Sequence, residues 1–149
     1  MSSSHFFLSV PDLYVARYFG VLTLADLLNG IEACRVSTHF SPTSPELIDF
    51  SQIANITIDL GEFRQLIAVL HQVYRQNSGT VAMYILVAGD HFYAHMRQFE
   101  LLSADLKGLK LQIFTDVDTC LAALDIPANS VEAFLTDADT IADEISHLR

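Results

Sequence analysis

The stretch TVAMYILVAGDHFYAHMRQFELLSADL, residues 80–106, decides the fold class. Its first part is a run of consecutive apolar residues at 81–88, which ends at Gly89-Asp90, and a helical pattern follows at once. An apolar run this short, rich in Val and Ile and closed by Gly, is typical of a strand that is buried on both faces. The stretch therefore predicts a buried strand followed directly by a helix that packs against it.

Further strands and helices are predicted on both sides of this unit. Strands at 5–10 and 14–19 flank Pro11-Asp12, which is typical turn chemistry and predicts a hairpin. Two more strands are predicted at 47–53 and 110–115, and loop residues lie at 41–45. Helices are predicted at 24–36, where Thr23 and Asp26 can form a capping box, at 63–74, and after Asp116, which can cap a short helix. The predicted order is β-β-α-β-α-β-α-β-α-α, an α/β fold with a mixed sheet of about five strands.

The last predicted helix begins near Ser130 and is amphipathic. Its apolar residues recur at helical spacing: Val131, Phe134, Leu135, Ala138, Ile141, Ala142 and Ile145. Burying a large apolar side chain contributes about 1.5–3 kcal/mol, so this stripe has to dock on its own domain or on a second subunit. We therefore expect one domain over 1–149, with a core at about 6–124, a helical addition at about 128–147, and a homodimer formed through that helix.

Composition excludes several classes of function. The chain has 149 residues, of which 51% are hydrophobic, so it can bury the core of one globular domain. Its net charge of -10, with only eight Lys and Arg residues, argues against nucleic acid and anionic membrane surfaces as partners. The N-terminus lacks a basic signal-peptide region, and no apolar run approaches the ~20 residues of a membrane span. We expect a cytoplasmic protein.

The acidic residues are concentrated late in the chain. From Asp116 onward there are eight acids against a single base, Arg149. This pattern is typical of a solvated helix face, and an acidic partner-binding surface is the alternative. Both cysteines, Cys34 and Cys120, fall inside apolar helical patterns, which predicts buried free thiols and not a disulfide.

The pattern resembles a known family, the SpoIIAA-like proteins of the STAS/SEC14 group. Members have a strand pair, a G-x-x-T-x-x-D-L helix start, a Y-x-x-x-R-x-F-E third helix and an F-x-D-x-x-x-x-L ending. The matching residues here are Gly20, Thr23, Asp26 and Leu27, then Tyr93, Arg97, Phe99 and Glu100, then Phe114, Asp116 and Leu121. The resemblance covers about residues 6–124, and the C-terminal helix lies outside it.

The resemblance implies a mixed sheet with helices mostly on one face, in a cytoplasmic bacterial protein. Its best-understood members are anti-sigma-factor antagonists, which act by protein–protein contact that is switched by phosphorylation. Their phospho-acceptor serine lies in an Asp-Ser-Ser/Thr-Gly type turn at the start of the second helix. This chain has Asp59-Leu60-Gly61-Glu62 there, without a hydroxyl, and Thr57 is in a different register. The fold is therefore expected to carry over without that switch.

Candidate binding residues lie within or just after the predicted strands. Ligands of α/β sheets often bind at the carboxyl ends of strands. The sequence therefore predicts a crevice lined by Asp49, Asp90, His91, Tyr93, His95 and Asp116. The alternative for Asp90 is a purely structural role as a helix N-cap, which would not exclude the crevice.

Two other patterns have simpler interpretations. His91 and His95 are four residues apart, a spacing that can place two imidazoles on one metal ion, but neither the Glu of H-E-x-x-H nor a third ligand accompanies them. No metal and no cofactor are therefore expected. The aromatic set Phe92, Tyr93, Met96 and Phe99 can line a ligand pocket, as in the lipid-carrying SEC14-related branch, but at this spacing it is more typical of ordinary core.

The sequence thus favours a non-enzymatic protein that acts by protein–protein contact, through the second helix and the acidic C-terminal helix. No G-x-S-x-G, P-loop or G-x-G-x-x-G motif is present. The alternative is a small hydrophobic-ligand or lipid carrier, which requires a pocket of several hundred Å³ between the third helix and the sheet.

Overall fold

The structure is a computed structural model that describes residues 3–9, 12–38 and 40–125. No helix within these ranges is both long enough and apolar enough to cross a membrane. The strands are β1 (Ser3–Ser9), β2 (Asp12–Leu22), β3 (Glu46–Ile56), β4 (Val81–Val87) and β5 (Leu109–Phe114). The helices are α1 (Leu24–Arg35), α2 (Leu60–Tyr74), α3 (Asp90–Leu102) and α4 (Val117–Ala123).

The five strands form one mixed sheet in the order β1-β2-β3-β4-β5. β1 pairs antiparallel with β2, and the remaining neighbours are parallel, with Tyr14 opposite Glu46 and Val81 opposite Leu109. This confirms the predicted mixed sheet with a leading antiparallel pair. Spatial order follows chain order throughout, so each parallel crossover passes over the same face of the sheet.

The helices lie mostly on one face, as predicted. Residues of β2 alternate between two cores, because successive side chains of a strand point to opposite faces. Tyr14, Ala16 and Tyr18 belong to the larger core, which α1, α2 and α3 cover. Leu13 and Val15 belong to the smaller core on the opposite face, with residues from other strands and from α4: Leu47, Leu86, Cys120 and Leu121.

α2 anchors the larger core. Its buried residues are Phe63, Leu66, Leu70 and Tyr74, at the helical spacing that the sequence predicted. The Phe63 ring is fully buried and stacks on Phe99 of α3, with ring centroids 5.1 Å apart. The predicted aromatic set of α3 is accordingly split. Met96 and Phe99 are buried, Phe92 packs against the core, and Tyr93 is 38% exposed.

The element boundaries lie within about three residues of the predicted ones. β3 begins at Glu46 and continues to Ile56, beyond the predicted 47–53. α3 ends at Leu102, and at the next residue the Ser103 hydroxyl donates to the Glu100 carbonyl at 2.7 Å. The predicted turn at Pro11 and the predicted C-terminal helix lie outside the described residues.

The third-helix motif of the resemblance has a structural role at the edge of the sheet. Arg97 and Glu100 form an ion pair one turn apart on α3. The Glu100 carboxylate also accepts a hydrogen bond from the backbone N–H of Ile113 in β5, at 3.2 Å. Glu100 therefore ties α3 to the last strand.

Candidate functional site

The start of α2, where the resemblance implies a phosphorylated turn, forms a capping box. The Asp59 carboxylate accepts from the Glu62 N–H at 2.8 Å, and the Glu62 carboxylate accepts from the Asp59 N–H at 3.1 Å. Both acidic side chains therefore satisfy backbone donors that the first turn of a helix leaves unpaired. The hydroxyl of the neighbouring Thr57 donates to the Leu22 carbonyl at 3.4 Å. The turn is built to begin a helix and contains no phospho-acceptor.

Removing this cap is expected to destabilise α2 measurably. Asp59→Ala leaves the Glu62 N–H without its acceptor and should lower the free energy of unfolding by about 1 kcal/mol in urea titrations. Asp59→Asn keeps the acceptor and is the matched control, expected to stay within a few tenths of a kcal/mol of the parent. Equal losses in both variants would show that the capping bond contributes nothing.

The two histidines of α3 have different surroundings. The Nε2 atom of His95 is 2.8 Å from the Ile58 carbonyl oxygen in the β3–α2 connection, and its ring meets Phe63 edge-on. The side chain of His91 is exposed, beside Phe92. Across the described ranges, no group of three or more His, Cys, Asp or Glu side chains is arranged to hold a metal ion. His95 thus joins α3 to the start of α2.

The carboxylates of the predicted crevice also have separate partners. Asp49 lies 3.2 Å from the Arg17 Nε in an ion pair and accepts from the Ser51 N–H at 2.8 Å. Asp116 caps α4 as predicted, accepting from the N–H of Thr119 at 2.9 Å and from its hydroxyl at 2.6 Å. These two hydrogen bonds lower the pKa of Asp116.

Asp90 is not an N-cap, which corrects the structural alternative considered for it. The N-cap of α3 is Gly89, at a φ of 83°, and no side chain caps this helix. Asp90 is the exposed first residue of the helix, where its negative charge is favourable to the helix dipole. The positive φ is the reason that Gly stands at this position, because other residues rarely adopt it.

The crevice prediction relies on a rule about strand order, and this sheet does not satisfy that rule. Ligand crevices open where the strand order of an α/β sheet reverses, so that neighbouring crossovers lie on opposite faces. The order β1 to β5 has no reversal. His95 faces α2, whereas Asp49 lies near Cys120 of α4, where burial first and the Asp49 carboxylate second raise the pKa of that thiol. That these residues act together stays a prediction.

The outer face of α2 is basic. Arg64, Ala68, His71 and Arg75 lie three or four residues apart and are all exposed, so they form one stripe, the basic face of α2. Neither arginine forms an ion pair with another residue in the described part of the chain. On a chain with a net charge of -10 this stripe has the opposite sign to the protein as a whole.

A second site, which the sequence did not predict, lies at the amino end of β3. Glu46 is only 3% exposed, and the Tyr74 hydroxyl at the end of α2 donates to its carboxylate at 2.5 Å. Tyr14, on the neighbouring strand, hydrogen-bonds to His5 of β1. We call Glu46, Tyr74, Tyr14, His5 and Cys34 the buried polar cluster, because their side chains meet between the sheet, α1 and α2.

Burial sets the protonation states in the buried polar cluster. It raises the pKa of Glu46 to about 7, against the lowering effect of the Tyr74 hydrogen bond. It also raises the pKa of Cys34 to about 12 and raises those of Tyr14 and Tyr74. The thiol and both phenols are therefore neutral at physiological pH. Only the Glu46 carboxyl titrates near neutrality among these four groups.

Sequence reasoning missed this cluster for a physical reason. Glu46 comes directly after Pro45 and before Leu47 and Ile48, which is the place of an exposed residue at a strand start. Its burial depends on the pairing of β3 with β2 and on Tyr74, 28 residues later, reaching it. The one local signal is the alternation of Tyr14, Ala16 and Tyr18 along β2. It places these residues on one face of the strand and so predicts two phenol hydroxyls inside that core.

Two small cavities lie in the described part of the interior. A cavity of about 40 Å³ adjoins the buried polar cluster, and one of about 50 Å³ lies between the sheet and residues Met96 and Phe99 of α3. Each has room for about one or two water molecules. Neither cavity has the several hundred Å³ expected for a lipid carrier. A space of that size, about 540 Å³, lies instead in a groove at the edge of the sheet, between the second half of α3 and β5.

Comparisons with known proteins support the fold. No family model and no curated protein matches the sequence. Among solved structures, the chain is similar to an uncharacterized protein from the DUF3478 family with a SpoIIAA-like fold, from Shewanella loihica PV-4. The TM-score is 0.51 and the identity 13%, over 83% of this chain and 92% of that one. This chain therefore has a SpoIIAA-like fold, which confirms the resemblance at the level of the fold.

Proposed function

We propose that the protein is a non-enzymatic SpoIIAA-like domain that acts in regulation, by protein–protein contact, in the cytoplasm of a bacterium. The observation that carries this proposal is the basic face of α2. Arg64 and Arg75 are exposed and form no ion pair with another described residue, so they are available to a partner's carboxylates. The partner is therefore a protein with an acidic surface.

The charge distribution of the chain orients an approaching partner. Most of the chain repels an acidic partner, and the basic face of α2 attracts it, so the partner is oriented before contact. Exposed ion pairs contribute only about 0–1 kcal/mol each, so Arg64 and Arg75 supply orientation and association rate more than affinity. The small side chain of Ala68, between them, lets a partner approach the helix closely.

The chemistry of the remaining groups is consistent with this proposal. Burial raises the pKa of Cys120, like that of Cys34, to about 12, and a protonated thiol is a poor nucleophile. Asp59 and Glu62 are engaged in the capping box. Regulation would therefore act through occupancy of α2 and not through phosphorylation of its first turn.

The proposal is tested by photo-cross-linking in the native cell. A photoreactive residue at Ala68 should capture a defined partner, and Arg64→Glu with Arg75→Glu in the same chain should abolish the capture. A photoreactive residue at Ala94, exposed on α3, is the matched control. Capture that is the same from both positions, or that survives the two charge reversals, would overturn the proposal.

The alternative, a small apolar-ligand or lipid carrier, has weaker support. The two cavities share apolar lining residues such as Ile48, Leu70 and Met83, so they lie side by side under α1 and α2. Together they are far smaller than the ~300 Å³ at which ligand pockets begin. Native mass spectrometry of the protein purified from its own cell separates the two functions, because a carrier retains an apolar ligand.

A further inference from the structure

Among the described residues, no further strand pairs with the outer edge of β5. β5 is the last strand of the sheet, and its register with β4 places Val81 opposite Leu109. The Val81 N–H donates to the Gly108 carbonyl at 3.0 Å. In a parallel ladder this phase directs the backbone groups of Leu109, Leu111 and Ile113 away from β4. The hydrogen bond from the Ile113 N–H to Glu100 agrees with that direction.

A groove runs along this open edge, between the second half of α3 and β5. Its volume is about 540 Å³, and its lining combines apolar and polar side chains, among them Arg97, Leu101, Leu106, Lys110 and Gln112. Leu101 is 60% exposed, whereas Phe92, Met96, Phe99 and Leu102 of the same helix are buried or partly buried. Exposed sheet edges of this kind bind an additional strand, whose backbone completes the ladder.

We infer that the additional strand is β5 of a second copy of this chain, paired antiparallel about a two-fold axis at Leu111. Two identical strands can pair in this way only if their side chains tolerate one another. About that axis Leu111 meets Leu111 of the second copy, and Lys110 lies opposite Gln112 of the second copy. No like charges face each other.

The charge of β5 makes this strand a less repulsive contact for a second copy than the acidic surfaces of the chain. Lys110 is the only charged residue of β5, on a chain with a net charge of -10. Two copies therefore meet here without opposing carboxylates on their strands. On α3, Arg97 and Glu100 lie beside the groove, one charge of each sign. In the dimer, Arg97 of one copy can pair with Glu100 of the other.

Glu100 limits the strength of this contact. The central Leu111 pair exchanges both of its backbone hydrogen bonds, as narrow pairs of an antiparallel ladder do. The outer pairs join Leu109 to Ile113 of the second copy, and the Ile113 N–H is already bonded to Glu100. Each outer pair therefore forms one of its two bonds until the carboxylate moves. The dimer is expected to be reversible and to tighten when Glu100 is replaced by Ala.

The test is sedimentation velocity of the full chain over a range of concentrations, with two variants at one partly exposed position. Gln112→Lys places lysines opposite one another twice across the axis, and should weaken the dimer about tenfold. Gln112→Glu places a carboxylate opposite each Lys110, and should tighten the dimer about tenfold. Both effects should shrink in high salt, because the paired charges are exposed.

Hydrogen exchange provides a second measurement that does not depend on mass. Protection of the Leu111 amide should rise with protein concentration in the parent chain and in Gln112→Glu. A parent chain that stays monomeric, with Gln112→Glu also monomeric, would overturn the inference. The inference would also be overturned by a dimer whose dissociation constant is unchanged in both Gln112 variants and that dissociates on Phe134→Glu in the predicted C-terminal helix. Arg64→Glu and Arg75→Glu should leave this dimer intact, which separates it from the α2 contact.

Discussion

The stability of the protein is expected to fall between pH 4.5 and pH 7 because of Glu46. Its pKa rises from 4.5, the ordinary value, to about 7 on folding, so the folded state binds a proton that the unfolded state releases over this range. The contribution is complete below the unfolded pKa and is lost as the pH rises through the folded one. At 1.36 kcal/mol for each pKa unit, the loss is roughly 3 kcal/mol.

Glu46→Gln isolates this effect. Glutamine has the same shape and keeps an oxygen that accepts from the Tyr74 hydroxyl, but it carries no charge at any pH. The variant should be about as stable as the parent at pH 4.5 and more stable at pH 8, by up to roughly 3 kcal/mol. The measurement is the free energy of unfolding from urea titrations at several pH values, taken as the difference between the two proteins.

Two further variants check the assignment. Tyr74→Phe removes the hydrogen bond that lowers the pKa of Glu46, so the upper end of the pH window should move above 7. Glu32→Gln changes an exposed carboxyl in the pair with Arg35 and should leave the pH profile parallel to that of the parent. Parallel profiles for Glu46→Gln and the parent would refute the account of the buried polar cluster.

Gly30→Ala is expected to be strongly destabilising, although it adds a good helix former to α1. A Cβ atom at this position would overlap the Tyr18 hydroxyl and lie 3.0 Å from the Cε1 atom of His5. Both neighbours are buried between α1 and the sheet, so neither can move without displacing others. Overpacking of this kind costs about 1–3 kcal/mol, more than the gain of up to ~1 kcal/mol in helix propensity.

Gly61→Ala provides the matched control for that substitution. Gly61 is exposed near the start of α2, and a Cβ there would meet only the Asp59 side chain, at an ordinary 3.4 Å. The variant should gain a few tenths to about 1 kcal/mol. Thermal unfolding followed by circular dichroism distinguishes the two, since opposite shifts are expected. A stabilised Gly30→Ala would mean that α1 does not pack closely on Tyr18.

Local patterns were sufficient to predict most of the fold. The short apolar run before Gly89 is β4, Thr23 forms its capping box with Asp26, and both thiols are free and buried. These features depend on residues close together in the chain. The apolar periodicity of α2 likewise predicted its buried face, because helical spacing alone determines which side chains meet the sheet.

The sites were harder to predict, because they depend on pairing across the sheet. Which face Asp49 occupies, and that Arg17 lies beside it, follows from the register of β2 and β3 and not from either strand alone. The burial of Glu46 has the same origin. The sheet also lacks the strand-order reversal that a ligand crevice requires. Strand order is a property of topology that strand and helix patterns do not specify.

The agreement between spatial order and chain order has a consequence for folding. Paired residues of the parallel strands are separated by similar, modest distances along the chain: Tyr14 pairs with Glu46, Glu46 with Met83, and Val81 with Leu109. Each strand can therefore pair as soon as the next strand has been synthesised, because no long loop has to close first. Such low separation favours rapid folding, and we expect the sheet to assemble progressively from its amino-terminal end during synthesis.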